Sequence, residues 1–196
     1  HGQHVSWESR FSVDHPEYAV VDRTAQVRQW GVLCLAYPEV RRHFMERFLD
    51  LLKGSEWDGL FVCLRSQSRP ADHADQFGFN EPVRRDFLDR FGVDIRTQEF
   101  DVQAWRDLLV SYLTQFLAGL RGALSSQGLR LAVGCALGNV VGPPLGNATL
   151  GWRSWVGEGL IDELVVNHDS TRCPSMWHRL WPMHAGSGYL EDYRDA

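Results

Sequence analysis

Polar side chains crowd together just after an apolar stretch that has the length of a β-strand. The segment "FVCLRSQSRPADHADQFGFNEP", residues 61–82, passes from apolar residues to arginines, a glutamine, a histidine and aspartates. Carboxylates can transfer protons, and a guanidinium can bind a carboxylate through two parallel hydrogen bonds. These residue types predict a ligand site in which acid–base chemistry can take place.

Similar polar residues follow each of the four strands that the sequence predicts. In folds built from parallel strands and helices, ligands bind beyond the carboxyl ends of the strands, because the connecting loops converge there. This rule selects Trp7, Glu8 and Arg10 after the first strand, Arg65, Gln67, Arg69, Asp72, His73 and Asp75 after the second, Asn139 after the third, and Asn167, His168 and Asp169 after the fourth.

Each candidate also has a structural alternative. Arg65 can pair with a neighbouring carboxylate and hold a loop instead of binding a ligand. The polar residues between positions 72 and 75 can solvate a loop, and His168-Asp169 can form a turn rather than an acid–base or metal site. Trp7 carries a ring on which sugars stack, but a chain with eight tryptophans can equally use it in its core.

The tripeptide Asn80-Glu81-Pro82 looks like the Asn-Glu-Pro that supplies the general acid in many retaining glycosidases. Here the helical pattern "VRRDFLDRFG" follows it directly. Asparagine is a favoured N-cap, and proline suits the first turn of a helix. The sequence therefore predicts that Asn80 caps a helix and that Glu81 and Pro82 fill its first turn.

Composition and missing motifs argue against several classes of function. The net charge is −5 and Lys53 is the only lysine, whereas a nucleic-acid binder needs a basic stripe. No apolar run reaches the roughly 18 residues of a membrane span. Nucleotide-binding glycine motifs, the Gly-x-Ser-x-Gly elbow and the His-Glu-x-x-His zinc motif are absent from the sequence. We expect no cofactor, no nucleic acid and no membrane span.

The four cysteines, at positions 34, 63, 135 and 173, stand far apart and form no Cys-x-x-Cys pair. The first three lie in apolar runs, where cysteine usually behaves as a small hydrophobic residue. Neither a disulfide framework nor a cysteine zinc site is expected. The sequence leaves the compartment (cytoplasmic or secreted) and the oligomeric state open.

Strands and helices alternate along the chain. This alternation implies parallel strands joined by right-handed crossovers, and the length suits a single α/β domain spanning residues 1–196. A small hairpin is expected within residues 7–37. The predicted strands are 2–6, 58–65, 129–137 and 161–167, and the predicted helices are 38–54, 80–92, 101–128 and 152–160.

Four phrases in this order resemble a known family. They are "HPEYAVVDRTAQVRQWGVLCLAYPEVRRHFMERFLDLL", "WDGLFVCLR", "FGFNEPVRRDFLDRFGVDI" and "WRSWVGEGLIDELVVN". They are similar to the His-Pro-Glu-Trp phrase with its Pro-Glu-Val-Arg helix, the Asp-Gly-Ile strand, the Phe-Gly-Phe helix and the Trp-x-x-Trp approach to a strand in glycosidase-like TIM barrels. That family is related to family 10 glycosyl hydrolases.

The resemblance covers most of residues 14–170 and implies an incomplete TIM (β/α)8 barrel, comprising about strands three to six of eight. The 196 residues agree with this, because a full barrel takes roughly 250 residues. Incomplete barrels leave strand edges unpaired, so we expect self-association of the chain. The implied activity is that of a glycoside hydrolase acting on a poly- or oligosaccharide.

The resemblance also gives the candidate residues their roles. Asp75 or Asp72 becomes the general acid, with Glu8 and Asp169 as the other carboxylate candidates. Arg65 and Arg69 together suggest an acidic glycan, because a guanidinium can bind a uronate carboxylate in two places. The residues expected to bind the sugar are Trp7, Arg65, Gln67, Arg69, His73, Asn139, Asn167 and His168.

One departure from the family opens an alternative. Many members carry an aspartate after the Asp-Gly-Ile stretch, where this chain has Cys63. If that aspartate is catalytic, its role is lost or passes to Asp72 or Asp75. The alternative is a non-catalytic glycan-binding or scaffold barrel. A third hypothesis is a metal-dependent hydrolase, for which the ligands would be His4, His73, His168 and Asp169.

Overall fold

The computed structural model describes residues 9–54, 56–64, 75–134 and 148–165, without the side chain of Trp30. Helices and strands alternate through most of these residues. They are α1 (Arg10–Asp14), a 3-10 helix (Pro16–Tyr18), β1 (Ala19–Val21), β2 (Arg28–Leu33), α2 (Pro38–Leu52), β3 (Gly59–Cys63), α3 (Glu81–Phe91), α4 (Val102–Ser125), β4 (Arg130–Gly134), α5 (Trp152–Gly157) and β5 (Glu163–Val165).

Three of the strands form a parallel sheet in the order β3-β4-β5. Gly59 pairs with Arg130 at the start of β3, and Ala132 pairs with Glu163 between β4 and β5. The strands predicted at 58–65, 129–137 and 161–167 are therefore confirmed as parallel neighbours in a mixed α/β structure. The strand predicted at 2–6 lies outside the described residues.

The expected hairpin is also present. Strands β1 and β2 pair antiparallel, with Ala19 opposite Leu33 and Val21 opposite Arg28. The short helix α1 just before this hairpin was not predicted; Ser9 caps it by accepting a hydrogen bond from the backbone of Ser12.

Helices α2 and α4 begin and end where local signals predict. Pro38 opens α2, and Gly54, with φ +77°, follows the end of that helix. Asp101 caps α4 by accepting hydrogen bonds from the backbone of Gln103 and Ala104. Gly128, with φ +71°, follows α4. In the described part of the chain, no helix combines the length and the apolar composition that a membrane span requires.

One hydrophobic core, which we call the sheet core, lies between the parallel sheet and three helices. Val62 of β3 and Leu131 and Val133 of β4 point into it. Helices α2, α4 and α5 pack against this same face of the sheet, and α5 contributes the buried rings of Trp152 and Trp155. Large apolar side chains from helices and strands thus interdigitate on one side of the sheet.

A second core, the hairpin core, lies between the β1–β2 hairpin, the segment 77–79, helix α3 and the first half of α4. Its centre is aromatic: Phe79 stacks on Trp105 with ring centroids 4.8 Å apart, and Phe87 is almost fully buried. Helix α4 contributes to both cores, because its long apolar stripe includes Trp105 at one end and Leu124 at the other.

The opposite face of the parallel sheet is more exposed than the sequence indicates. The apolar run of β3 suggested a strand covered on both faces. Alternate residues of this run, Phe61 and Cys63, are instead exposed, with 45% of the Phe61 surface accessible. Val165 on β5 is 37% exposed on the same face. We call this the open face of the sheet.

Candidate functional site

Asp75 is the predicted catalytic residue that the structure describes. Its carboxylate faces Arg106 of α4: Nε of Arg106 donates to Oδ1 at 3.2 Å, and Nη2 donates to Oδ2 at 2.5 Å. Both side chains are mostly buried, with 17% of Asp75 and 21% of Arg106 exposed. The pair therefore has the two-pronged geometry of a strong arginine–carboxylate contact.

The other predicted residues lie outside the described part of the chain, with the exception of Arg10. That residue begins α1 and lies 3.4 Å from Asp14 as a highly exposed ion pair. Those outside are Glu8, Asp72 and Asp169 among the carboxylates, Trp7, Arg65, Gln67, Arg69, His73, Asn139, Asn167 and His168 among the sugar-binding candidates, and His4.

The backbone holds Asp75 in an uncommon conformation. Its φ is +60°, in the left-handed region that aspartate tolerates better than most residues other than glycine. Three residues later, Gly78 has φ +118°, and a side chain there would meet Trp105 and Leu109 at 3.0 Å. The segment that begins at Asp75 is thus pressed closely against α4.

The ion pair determines which form of the Asp75 carboxyl group this geometry suits. The side-chain hydrogen bond to Asp75 is the main cause that raises the pKa of Arg106, opposed by burial. A guanidinium bound in this way stabilises a charged carboxylate. The arrangement therefore suits an anchor or a base better than a proton donor.

The Asn80-Glu81-Pro82 prediction is half confirmed. Helix α3 begins at Glu81 with Pro82 in its first turn, as predicted, but the side chain of Asn80 makes no capping hydrogen bond. Its Nδ2 instead donates to the Ala19 carbonyl at 2.8 Å, and its Oδ1 accepts from the Val21 amide at 3.2 Å. Asn80 is buried against β1, so the hairpin, rather than the helix, satisfies its amide.

Glu81 belongs to a network of charges. Its carboxylate accepts from Arg84 and from Arg96, each at 3.0 Å. Arg84 also binds both oxygens of Asp94, at 2.9 and 2.6 Å, and this hydrogen bonding lowers the pKa of Asp94 to about 2. Arg96 donates to the Phe79 carbonyl through two nitrogens. A carboxylate shared by two guanidiniums has a structural role, which agrees with the non-catalytic interpretation of Glu81.

The carboxyl edge of the sheet carries Cys63 and Gly134, which are paired across β3 and β4. Cys63 is exposed on the open face. The ring of Phe61 leans along its strand and lies over Gly134: a Cβ on that glycine would be 2.5 Å from Cζ of the ring. Sequence reasoning missed Phe61; the signal is an aromatic residue in a strand whose partner strand ends in glycine.

A second surface feature is a cleft of about 220 Å³ between α1, the 3-10 helix and α2. At this cleft the rings of Phe11 and His43 stack with centroids 3.8 Å apart, and burial lowers the pKa of His43, aided by Arg47. Among the described residues, no group of three or more His, Cys, Asp and Glu side chains could hold a metal ion. The cleft is lined by Phe11, His15, Tyr18, Glu39, Arg42, His43 and Glu46.

Comparison of the sequence with models of known protein families and with curated proteins finds no match. The function must therefore be inferred from the residues and the geometry of the chain itself.

Proposed function

We propose that this chain is the central part of a β/α barrel that acts on carbohydrate, with the activity of a glycoside hydrolase on a poly- or oligosaccharide. The observation that carries the proposal is the arrangement of the sheet. Strands β3, β4 and β5 are parallel and adjacent in chain order, and helices α2, α4 and α5 all pack on one face of them.

This arrangement favours a barrel over the other common parallel fold. In doubly wound folds, helices cover both faces of an open sheet, whereas in a barrel they form an outer ring and the other face lines the interior. The open face, with Phe61, Cys63 and Val165, has the position of a barrel interior. The sequence resemblance to glycosidase-like barrels supports the same arrangement, with about strands three to six present.

The candidate residues receive roles from this placement. Catalytic residues of barrel enzymes come from the carboxyl ends of the strands and the loops after them. Because the ion pair with Arg106 stabilises a charged Asp75, we assign Asp75 to anchoring its loop and favour Asp72 as the general acid. Glu8 and Asp169 are the candidates for the second carboxylate of the pair that most glycosidases use.

The remaining polar candidates would bind the sugar. Trp7 would stack on a sugar ring, and Gln67, His73, Asn139, Asn167 and His168 would bind hydroxyl groups. Arg65 and Arg69 would bind the carboxylate of an acidic glycan. Neutral sugars as the dominant products in a glycan screen would contradict the acidic preference and leave the hydrolase proposal intact.

Cys63 favours a second candidate function, a barrel that binds glycan without cleaving it. The thiol is exposed at the carboxyl end of β3, where the resembled family places an aspartate. A thiol at this position cannot supply the acid and base functions of a glycosidase carboxyl group. This candidate predicts saturable binding of oligosaccharides with no release of reducing ends.

The test is to incubate the full chain with neutral and acidic polysaccharides and to measure new reducing ends. On a substrate that is cleaved, Asp72→Asn should lower the rate by about 10²–10⁴-fold, the usual contribution of a general acid. Asp89→Asn, on an exposed position of α3, is the matched control and should leave the rate unchanged. An unchanged rate in Asp72→Asn, Glu8→Gln and Asp169→Asn alike would refute these assignments.

Cys63→Asp separates the two candidate functions. If the protein binds glycan without cleaving it because the acid is missing, this variant should release reducing ends from an oligosaccharide that the wild type only binds. If the wild type already cleaves that oligosaccharide, the non-catalytic candidate is excluded.

A further inference from the structure

We propose that Phe61 is a platform on which a sugar ring of the glycan stacks, and that Gly134 is the positioning residue that holds this ring flat on the open face. The proposal deepens the proposed function and rests on it, because it names a binding residue at the same edge of the sheet. Neither residue was among those that the sequence singled out.

The geometry comes first. Phe61 pairs with Ala132 on β4, and its ring leans from there towards the carboxyl edge, over Gly134. A Cβ at Gly134 would lie 2.5 Å from Cζ and 2.8 Å from Cε2 of the ring, so no other amino acid at this position leaves the ring where it is. The glycine therefore allows the ring to lie across the neighbouring strand instead of standing upright on the sheet.

The exposure of the ring is the second observation. Large apolar side chains of β3 and β4 that point into the sheet core, such as Val62 and Leu131, are at most 6% exposed. Phe61 lies between them in register but on the other face, and 45% of its surface is accessible. An aromatic ring that leans to the carboxyl edge of parallel strands lies where ligands of such folds bind.

The chemistry of the ring selects the ligand. The face of an aromatic ring carries partial negative charge and attracts the partially positive edges of C–H groups. One face of a pyranose presents several C–H groups in a plane, so it fits a flat ring. The nearby side chains on the open face, Cys63 and Ala132, are small and leave room for a ring-sized ligand above Phe61.

The experiment uses the full chain labelled with 4-fluorophenylalanine and titrated with linear hexasaccharides of glucose, xylose, N-acetylglucosamine and galacturonate. Ten phenylalanines are present, and the resonance of Phe61 is assigned by its loss in Phe61→Leu. We expect the Phe61 resonance to move on binding of one hexasaccharide. The resonance of Phe91, which is 50% exposed on α3, should not move.

Binding measurements on variants complete the test. Phe61→Leu, which keeps an apolar side chain but loses the ring, should weaken binding by about tenfold, and Phe61→Tyr should retain it. Gly134→Ala should weaken binding as Phe61→Leu does, because the ring is displaced although it is still present. Trp57→Leu is the matched control: this exposed ring lies before the amino end of the same strand, and its loss should not matter.

The outcomes distinguish this inference from the proposed function. If a hexasaccharide is bound or cleaved while the Phe61 resonance and the affinity of Phe61→Leu stay unchanged, the stacking inference fails and the proposed function stands. Binding that depends on Phe61 without any cleavage supports the inference and contradicts the hydrolase. If no hexasaccharide is bound or cleaved, both are refuted. Thermal melts of Phe61→Leu and Gly134→Ala establish that a lost affinity does not come from unfolding.

Discussion

The sheet core and the hairpin core are held together in different ways. In the sheet core, strands joined by regular backbone hydrogen bonds pack aliphatic side chains against α2, α4 and α5. In the hairpin core, aromatic rings pack under an irregular segment whose borders are crossed by ion pairs and side-chain hydrogen bonds. Examples are Arg84 with Asp94, Asn80 with Ala19, and Asp75 with Arg106.

The difference follows from where backbone groups find their partners. In β3, β4 and β5 the parallel ladder supplies those partners, so side chains are left to pack. The segment 75–80 pairs with the hairpin only through an isolated bridge at Phe77 and the Val21 carbonyl, which accepts from Gly78 and Phe79. Because buried polar groups need partners, Asn80 and Arg96 supply them from their side chains.

The comparison also separates two kinds of candidate residue. Asp75 belongs to the polar border of the hairpin core, where its partner Arg106 limits the chemistry that it can do. Phe61 and Cys63 belong to the strand that the sheet core holds from the other side, and they are exposed. The rigid sheet thus presents the surface for a ligand, and the hairpin core fixes the point at which the chain leaves the loop after β3.

The largest expected effect comes from removing one buried indole in each core. Trp105→Ala and Trp155→Ala should each lower the free energy of unfolding by about 3–5 kcal/mol. Both side chains are at most 1% exposed, and Trp57→Ala, at an exposed position, should change it by no more than about 0.5 kcal/mol. Urea unfolding followed by circular dichroism measures these changes.

Because α4 contributes to both cores, each of these variants should unfold in a single transition at a lower urea concentration. Two separate transitions, with only one of them shifted by each substitution, would mean that the cores are independent units.

A smaller effect is expected when the Asn80 tether is altered. Asparagine and aspartate are equally good N-caps, so Asn80→Asp would be harmless if Asn80 capped α3. In the structure, this substitution removes the donor to the Ala19 carbonyl and buries a charge. We expect a loss of about 1–3 kcal/mol in the free energy of unfolding. Asp101→Asn, at the real cap of α4, is the control and should be nearly neutral.

Acid should act on the hairpin core through Asp94. Arg84 holds the pKa of Asp94 at about 2, below its ordinary value of 3.8. A carboxyl group whose pKa is lowered by folding stabilises the protein above its ordinary pKa, and this stabilisation is lost as the pH falls through the folded value. Melting temperatures measured between pH 5 and pH 2 should therefore fall less steeply in Asp94→Asn than in the wild type. Equal slopes would show that the pair contributes nothing.

The smallest effect is expected for the ion pair on the open face. Arg130 and Glu163 are 2.9 Å apart, and their side chains are 62% and 51% exposed. Exposed pairs contribute little, so Glu163→Gln should change the free energy of unfolding by less than about 1 kcal/mol. A larger loss in the same urea measurement would mean that this face is covered and that the contrast with the sheet core is wrong.

Much of the fold could be predicted because its signals are local. Pro38 and Gly54 bracket α2, Asp101 and Gly128 bracket α4, and the apolar runs around Val62 mark strands. Each of these signals acts within a few residues of the chain, so no knowledge of the tertiary structure was needed. The short helix α1 was missed because five residues carry too little periodicity to be recognised.

The candidate site was less predictable because its contacts are distant in sequence. Whether Asp75 is a free acid or an anchor depends on Arg106, which lies 31 residues further on. Whether Asn80 caps a helix or ties it to a strand depends on Ala19, which lies 61 residues earlier. Both residue types suit both roles, so composition and spacing could not decide between them.

The sequence by itself determined the alternation of strands and helices, the ends of the long helices and the parallel α/β class, because hydrophobic periodicity and capping residues act over short distances. Only the tertiary structure decided which face of the sheet the helices cover, and so which residues of β3 are exposed. Phe61 and Val62 are neighbours of similar polarity, and the packing of α2, α4 and α5 on one side of the strand is what separates them.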